Sequence, residues 1–169
     1  MKKIIFALAV FISQFVADAQ IKTPQASPRA VVSQMVGLTE VELNYSRPGA
    51  KGRPVFGNLV PFGKLWRTGA NEATYIELAE AITVEGKALA AGKYSIFTIP
   101  KETGTWTVIF NSDWNLEHGH FQHNEKNDVL RVEVQPQWEA ASQESLSIAV
   151  EAPGIVIRWE KLKLPIAIQ

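Results

Sequence analysis

Between Tyr45 and Thr74 the sequence carries five cations, Arg47, Lys51, Arg53, Lys64 and Arg67, and no acid occurs between Glu42 and Glu72. Guanidinium groups present N–H donors in a planar fork, so such a run suits a carboxylate, phosphate or sulfate. The run ends on Trp66-Arg67-Thr68-Gly69-Ala70-Asn71-Glu72-Ala73-Thr74. Here Arg47 and Arg67 would clamp a carboxylate, Asn71 and Thr68 would donate to an anion or a carbonyl, and Trp66 would stack on a sugar or aromatic ring. Glu72 would serve as general acid or base if burial raised its pKa. The ligand-binding candidates are therefore Arg47, Arg53, Trp66, Arg67, Thr68, Asn71 and Glu72, with Glu72 the catalytic candidate. The same residues also admit a structural reading. Arg47 and Arg67 brace the loop on backbone carbonyls, Glu72 pairs with Arg67, Asn71 caps a turn, Gly69 takes an unusual backbone angle, and Trp66 fills core.

A second constellation holds all 3 histidines, in Glu117-His118-Gly119-His120-Phe121-Gln122-His123. In an extended chain His118 and His120 point to one side, and a turn would bring in His123. Three imidazoles with an open position suit Zn²⁺ or Cu²⁺. The alternative is a solvated polar loop; spacing alone does not decide. No other cofactor is predicted.

What positions these groups is a chain dominated by a period of two. Glu40 to Ser46 alternates polar and apolar residues, with Val41, Leu43 and Tyr45 on one face. Ile76 and Leu78 share a face, as do Ile82 and Val84 before a turn at Glu85-Gly86-Lys87. Ala91-Gly92 is a second turn. Tyr94 to Ile99 is apolar on both faces, as in a central strand. Pro100 to Gly104 is a loop, and Thr105 to Asn111 a strand with Trp106, Val108 and Phe110 on one side. Leu130, Val132 and Val134, then Leu146, Ile148 and Val150, continue the alternation. Beyond the Pro153-Gly154 turn, Ile155, Ile157 and Trp159 share a face, and so do Leu162, Leu164 and Ile166. The phase slips between Trp159 and Leu162, which signals a β-bulge or bend. About eight strands at short spacing predict an all-β fold, an antiparallel β-sandwich of jelly-roll type. Helix is expected only as short turns, near Ala30 to Ser33 or Asn124 to Asn127. Residues 45–75 form a long Gly/Pro-rich loop whose Val55, Phe56, Leu59, Val60, Phe62, Leu65 and Trp66 pack it down onto the strands.

The chain has 169 residues, enough for one domain with a proper core, and balances 17 Lys+Arg against 17 Asp+Glu. That neutrality argues against a nucleic-acid partner. With no cysteine there is no thiol nucleophile, thiolate metal site or disulfide. No G-x-S-x-G, H-E-x-x-H, P-loop or EF-hand pattern occurs. At the start, Lys2 and Lys3, a nearly unbroken apolar run from Ile4 to Val16, and Ala17-Asp18-Ala19 have the layout of a secretory signal peptide cleaved after Ala19. Residues 20–27 read as a loose leader and 28–169 as one sandwich domain. The expected location is periplasmic or secreted, with no membrane span after cleavage.

Tyr45-Ser46-Arg47-Pro48, Lys51-Gly52-Arg53, Phe56-Gly57, Trp66 to Thr74, Ala91 to Pro100, Trp106 to Asn111 and Asp128-Val129-Leu130-Arg131 together closely resemble the hallmark of the DUF2911 family. The resemblance covers roughly Ser27 to Pro165. Ala90 stands where that family usually has Pro. The resemblance implies an exported bacterial protein; it brings no activity, and the three histidines are not part of its pattern. The functions that follow are, in order, a non-catalytic binding or structural module with an anion- or sugar-facing loop, a small hydrolase or lyase using Glu72 with Arg47 and Arg67, and a metal-binding envelope protein using His118, His120 and His123. The partner of the first two is a small anionic molecule or a glycan.

Overall fold

A computed structural model describes residues 23–169; the predicted signal peptide, residues 1–19, lies outside them. The protein is an antiparallel all-β sandwich. Ten strands follow in the order β1 (Arg29–Val36), β2 (Thr39–Ser46), β3 (Tyr75–Leu78), β4 (Ile82–Val84), β5 (Lys87–Leu89), β6 (Gly92–Ile99), β7 (Trp106–Asn111), β8 (Asp128–Val134), β9 (Gln137–Glu151) and β10 (Gly154–Ala167). Among the described residues no helix is long and apolar enough to cross a membrane.

The first layer is a six-stranded meander in the order β1-β2-β3-β6-β7-β8. The second is the long β9–β10 hairpin, widened on both sides. The β4–β5 hairpin joins it through the Val84–Ile168 bridge and reciprocal bonds between Thr83 and Gln169. On the other side residues 48–50 lie along β9, with Ala50 N–H donating to Glu144 O at 2.7 Å and Leu146 N–H to Pro48 O at 3.0 Å. The alternating residues then do what the period demands. Val41, Leu43, Ile76, Ile96, Trp106, Val108, Phe110 and Val132 from the first layer meet Leu146, Ile148, Ile155, Ile157, Trp159, Leu162 and Leu164 from the second in one buried core. Each such side chain contributes on the order of 1.5–3 kcal/mol by leaving water.

The predicted phase slip is a bulge: the β9–β10 register shifts on both sides of Glu160, whose φ is 53°. The extra residues lie on β9, which runs from Ser147 to Gln143 to Trp138 while β10 runs from Arg158 to Glu160 to Leu162. The left-handed turn at Glu160 resets the alternation, so Trp159 and Leu162 share one core although they stand an odd number apart. One expectation differs. The segment around Ala30 to Ser33 is not helical; it is β1, paired along its length with β2. Its apolar residues alternate too weakly to read as a strand alone, and the β2 edge decides. Of the two expected sites the helical turn falls at Glu125–Asn127, and a further one at Gly119–Gln122.

Residues 112–127 lie over the outer face of the first layer. Phe97 and Ile109, pointing away from the main core, form a second small cluster with Ala73, covered by Leu65, Ile99 and Leu116. This second layer of burial is why β6 reads as apolar on both faces.

Candidate anion-binding cleft

The loop of residues 45–75 crosses from one sheet to the other. It leaves the second layer at residues 48–50 and reaches the first at Trp66, which bridges Thr98 with N–H···O distances of 2.8 and 2.9 Å. Phe56 pins the crossing: its ring lies 5.8 Å from Trp66, 5.0 Å from Trp106, 6.0 Å from Trp138 and 6.1 Å from Trp159. Trp66 and Trp159 stack at 5.8 Å and 23°. Edge-to-face and offset rings of this kind add packing beyond their area.

Three of the five cations are held by partners on β9, before β1 or on the loop itself. Arg47 Nε donates to Leu146 O at 3.0 Å and its backbone N–H to Pro28 O at 2.9 Å, tying the loop to β9 and to the chain before β1. Arg53 Nε and Nη2 donate to Ala50 O and Gly49 O at 2.9 and 2.8 Å. Lys51 donates its backbone N–H to the Glu144 carboxylate at 2.9 Å.

Arg67 is placed differently. Its Nη1 donates to Asn71 O, its stem lies against Gly119, and its guanidinium carbon sits 5.6 Å from the Phe121 ring centroid. A Cβ on Gly119 would come within 2.6 Å of Arg67 Cδ, and Gly119 has φ +55°, so the position calls for glycine twice over. Burial holds the Arg67 pKa below the ordinary arginine value. No acid forms an ion pair with Arg53 or Arg67 among the described residues.

Arg67 and Arg53 line a cleft of about 310 Å³ with Trp66, Trp159, Asn71 and His120. A second chamber of about 440 Å³, lined by Leu59, Val60, Pro61, Lys64, Leu65, Trp66 and His120, adjoins it. The two share Leu59, Val60, Trp66 and His120, and no carboxylate of the described residues lines either. Both sizes fall in the range of small-molecule sites. His120 has Nδ1 buried with no hydrogen-bond partner among the described residues. Burial, and then the nearby Arg67 charge, lower its pKa below the ordinary imidazole value, so it is a neutral ring beside a cation.

The other sequence candidates stand elsewhere. Glu72 is exposed and touches a hollow of only about 10 Å³ with Arg29, Asn44 and Ser46; it does not line the cleft and does not pair with Arg67. Thr68 is buried, its hydroxyl 3.3 Å from that of Thr98, its carbonyl accepting from Thr74 Oγ1 at 2.9 Å. The left-handed backbone falls on Thr68 (φ 55°) and Asn71 (φ 60°), not on Gly69. Gly69 is needed for space instead: a Cβ there would meet Thr74 Oγ1 at 2.7 Å. Asn71 Nδ2 lies within 3.3 Å of Ser27 O and 3.4 Å of Ser46 Oγ, while its backbone carbonyl orients Arg67.

The three histidines do not gather. His118 is exposed, and its backbone N–H is taken by Gln122 Oε1 at 2.7 Å. His123 Nε2 lies 2.7 Å from Asp128 Oδ1 and packs edge-on against Phe97. Among the described residues no group of three or more His, Asp or Glu is arranged to hold a metal ion. The 3₁₀ turn at Gly119–Gln122 separates residues that an extended chain would align. What sequence reading missed is that His120 belongs with the arginine loop. The bond from Ala73 N–H to Leu116 O, 2.9 Å, joins the two segments across the sheet, and no local pattern announces a contact between residues so far apart in the chain.

Fold and cleft together define an antiparallel sandwich with a packed cationic loop closing one end. A family model described as "Protein of unknown function (DUF2911)" matches residues 27–168, and the chain belongs to that family. No curated protein and no solved structure matches the chain.

Proposed function

We propose that this protein is a non-catalytic binding module of the bacterial cell envelope, exported by its N-terminal signal peptide, that takes up a small organic anion or an acidic glycan in the cleft between Arg53, Arg67 and His120. The observation that carries this reading is a partly buried guanidinium with no carboxylate partner among the described residues, in a cleft with no acid in its lining. A buried cation without a counter-charge is costly, and an anionic ligand offsets that cost. Asn71 O and Gly119 hold Arg67 in one pose, so little side-chain freedom remains to be lost on binding. Glu72, outside the cleft, has no part in this reading.

A thermal-shift screen of the mature protein against sugars, uronic acids, organic acids and divalent metals tests it, with Arg67→Ala as control. An acid present at a hundred times its Kd raises stability by about 2.7 kcal/mol. The shift is expected with acids and lost in Arg67→Ala. Shifts with neutral sugars alone, or equal shifts in the variant, would sink the reading.

A further inference from the structure

The cleft has two chambers joined through shared residues, one holding both guanidinium groups and the other walled mainly by aliphatic side chains, and that division specifies more than an anion. On one side stand Arg53, Arg67 and Asn71; on the other, Pro61 and Leu65, with Lys64 the one charged residue among the described ones; Leu59 and Val60 run along both. Trp66 and His120 line both. Two large apolar side chains near the cationic groups are left to solvent: Leu59 is 43% exposed, and Phe121, whose ring covers Arg67 and lies 4.3 Å from His120, is 78% exposed. Exposed apolar surface beside a concave, cation-headed site marks where a ligand with its own apolar body settles. A sugar would bring hydroxyls to the second chamber, whose side chains carry few polar groups to receive them, and buried hydroxyls without partners are penalised.

Resting on the anion-binding reading above, we infer that the ligand is an amphipathic carboxylate. Its acid head lies against Arg67 and Arg53, and its hydrocarbon or aryl body runs past Trp66 and His120 along Leu59, Pro61 and Leu65. Charge complementarity fixes the orientation: the head belongs in the chamber with two guanidinium groups, and the body in the chamber walled by aliphatic side chains.

Titration calorimetry with straight-chain carboxylates from butanoate to octanoate tests this, with glucuronate, inorganic phosphate and methyl octanoate alongside. Affinity is expected to rise about threefold to fourfold per added methylene, the worth of one buried CH₂. Arg67→Ala should weaken every acid at least tenfold, and methyl octanoate should bind at least tenfold more weakly than octanoate. Leu59→Asn should lower the octanoate-to-butanoate ratio severalfold with an unchanged melting temperature, since Leu59 is partly exposed. A ratio that Leu59→Asn leaves intact puts the chain elsewhere and overturns the inference. Equal affinity across the series, with glucuronate or phosphate still binding through Arg67, also overturns it and leaves the anion cleft standing. If no acid binds, or if binding survives Arg67→Ala, both readings fall.

Discussion

Arg67 and Glu72 stand five residues apart in one motif and have opposite fates. Packing against Gly119 and the Asn71 carbonyl holds the arginine in the cleft, whereas the glutamate is left exposed. Residue types and the absence of acids made the cationic loop legible in the sequence. Which cation braces and which lines the cleft was not, because that depends on carbonyls such as Leu146 O, about a hundred positions away in the chain. Glu72→Gln should therefore change stability by less than about 0.5 kcal/mol, as surface substitutions without partners do, and leave ligand affinity intact. Urea melts and the calorimetric titration check both halves. His120 gives a pH dependence with a definite sign. Its folded pKa lies below the ordinary imidazole value of 6.5, so the unfolded chain takes up the proton first on acidification. Its neutral form supports the fold fully above about pH 6.5, and stability falls as the pH drops from there toward the lowered folded value. Urea midpoints between pH 7.5 and 5 should fall less steeply, by the share of this one group, in His120→Gln.

At the level of elements, the segment 112–127 decides whether the cleft is complete, because it carries His120 and Gly119 to Arg67. Its anchor is Asp128, which accepts from Asn111 Nδ2 at 2.7 Å and from Arg131 Nη2 at 2.6 Å, and meets His123 at 2.7 Å. Burial pushes this carboxyl up, but the hydrogen bonds from Asn111, Arg131 and His123 together outweigh it and hold the pKa below the ordinary aspartate value. Asp128→Ala takes one acceptor from the buried Asn111 amide, leaving only Asn124 O, and removes a partner of Arg131 and of His123. It should cost about 1–3 kcal/mol, with amide exchange quickening through residues 112–127 before the sheet opens. Gly119→Ala attacks the same contact from the other side. The strained φ and the collision with Arg67 should cost about 1–2 kcal/mol, and acid binding should weaken further than stability does. The Asp128-Val129-Leu130-Arg131 run was visible in the sequence, but its role as a clamp for the histidine segment was not, since the histidines themselves suggested a metal.

Over the whole molecule, the period of two marked out most of the strands and the bulge at Glu160, because each face of a sandwich strand answers to one environment. It failed where tertiary pairing overrides a weak local pattern. β1 takes its form from the β2 edge, and the exposed stretch from Trp138 onward reads as strand only because β10 runs beside it. The loop binds the two layers into one core through Phe56, so Phe56→Ala should lower stability by about 3–4 kcal/mol, read as a shift in the urea midpoint at nearly unchanged slope. The same ring knot has an optical consequence. Trp66, Trp106, Trp138 and Trp159 all lie within 6.1 Å of Phe56, and Trp66 and Trp159 are nearly parallel. Indoles this close and mutually tilted, as Trp106 and Trp138 are at 6.3 Å and 73°, couple their electronic transitions, so an exciton couplet is the expected outcome of a circular dichroism measurement on the folded protein. Detachment of the loop would remove the share of Trp66 from that signal while the amide spectrum of the strands persists, giving a label-free view of the end of the sandwich where the cleft lies.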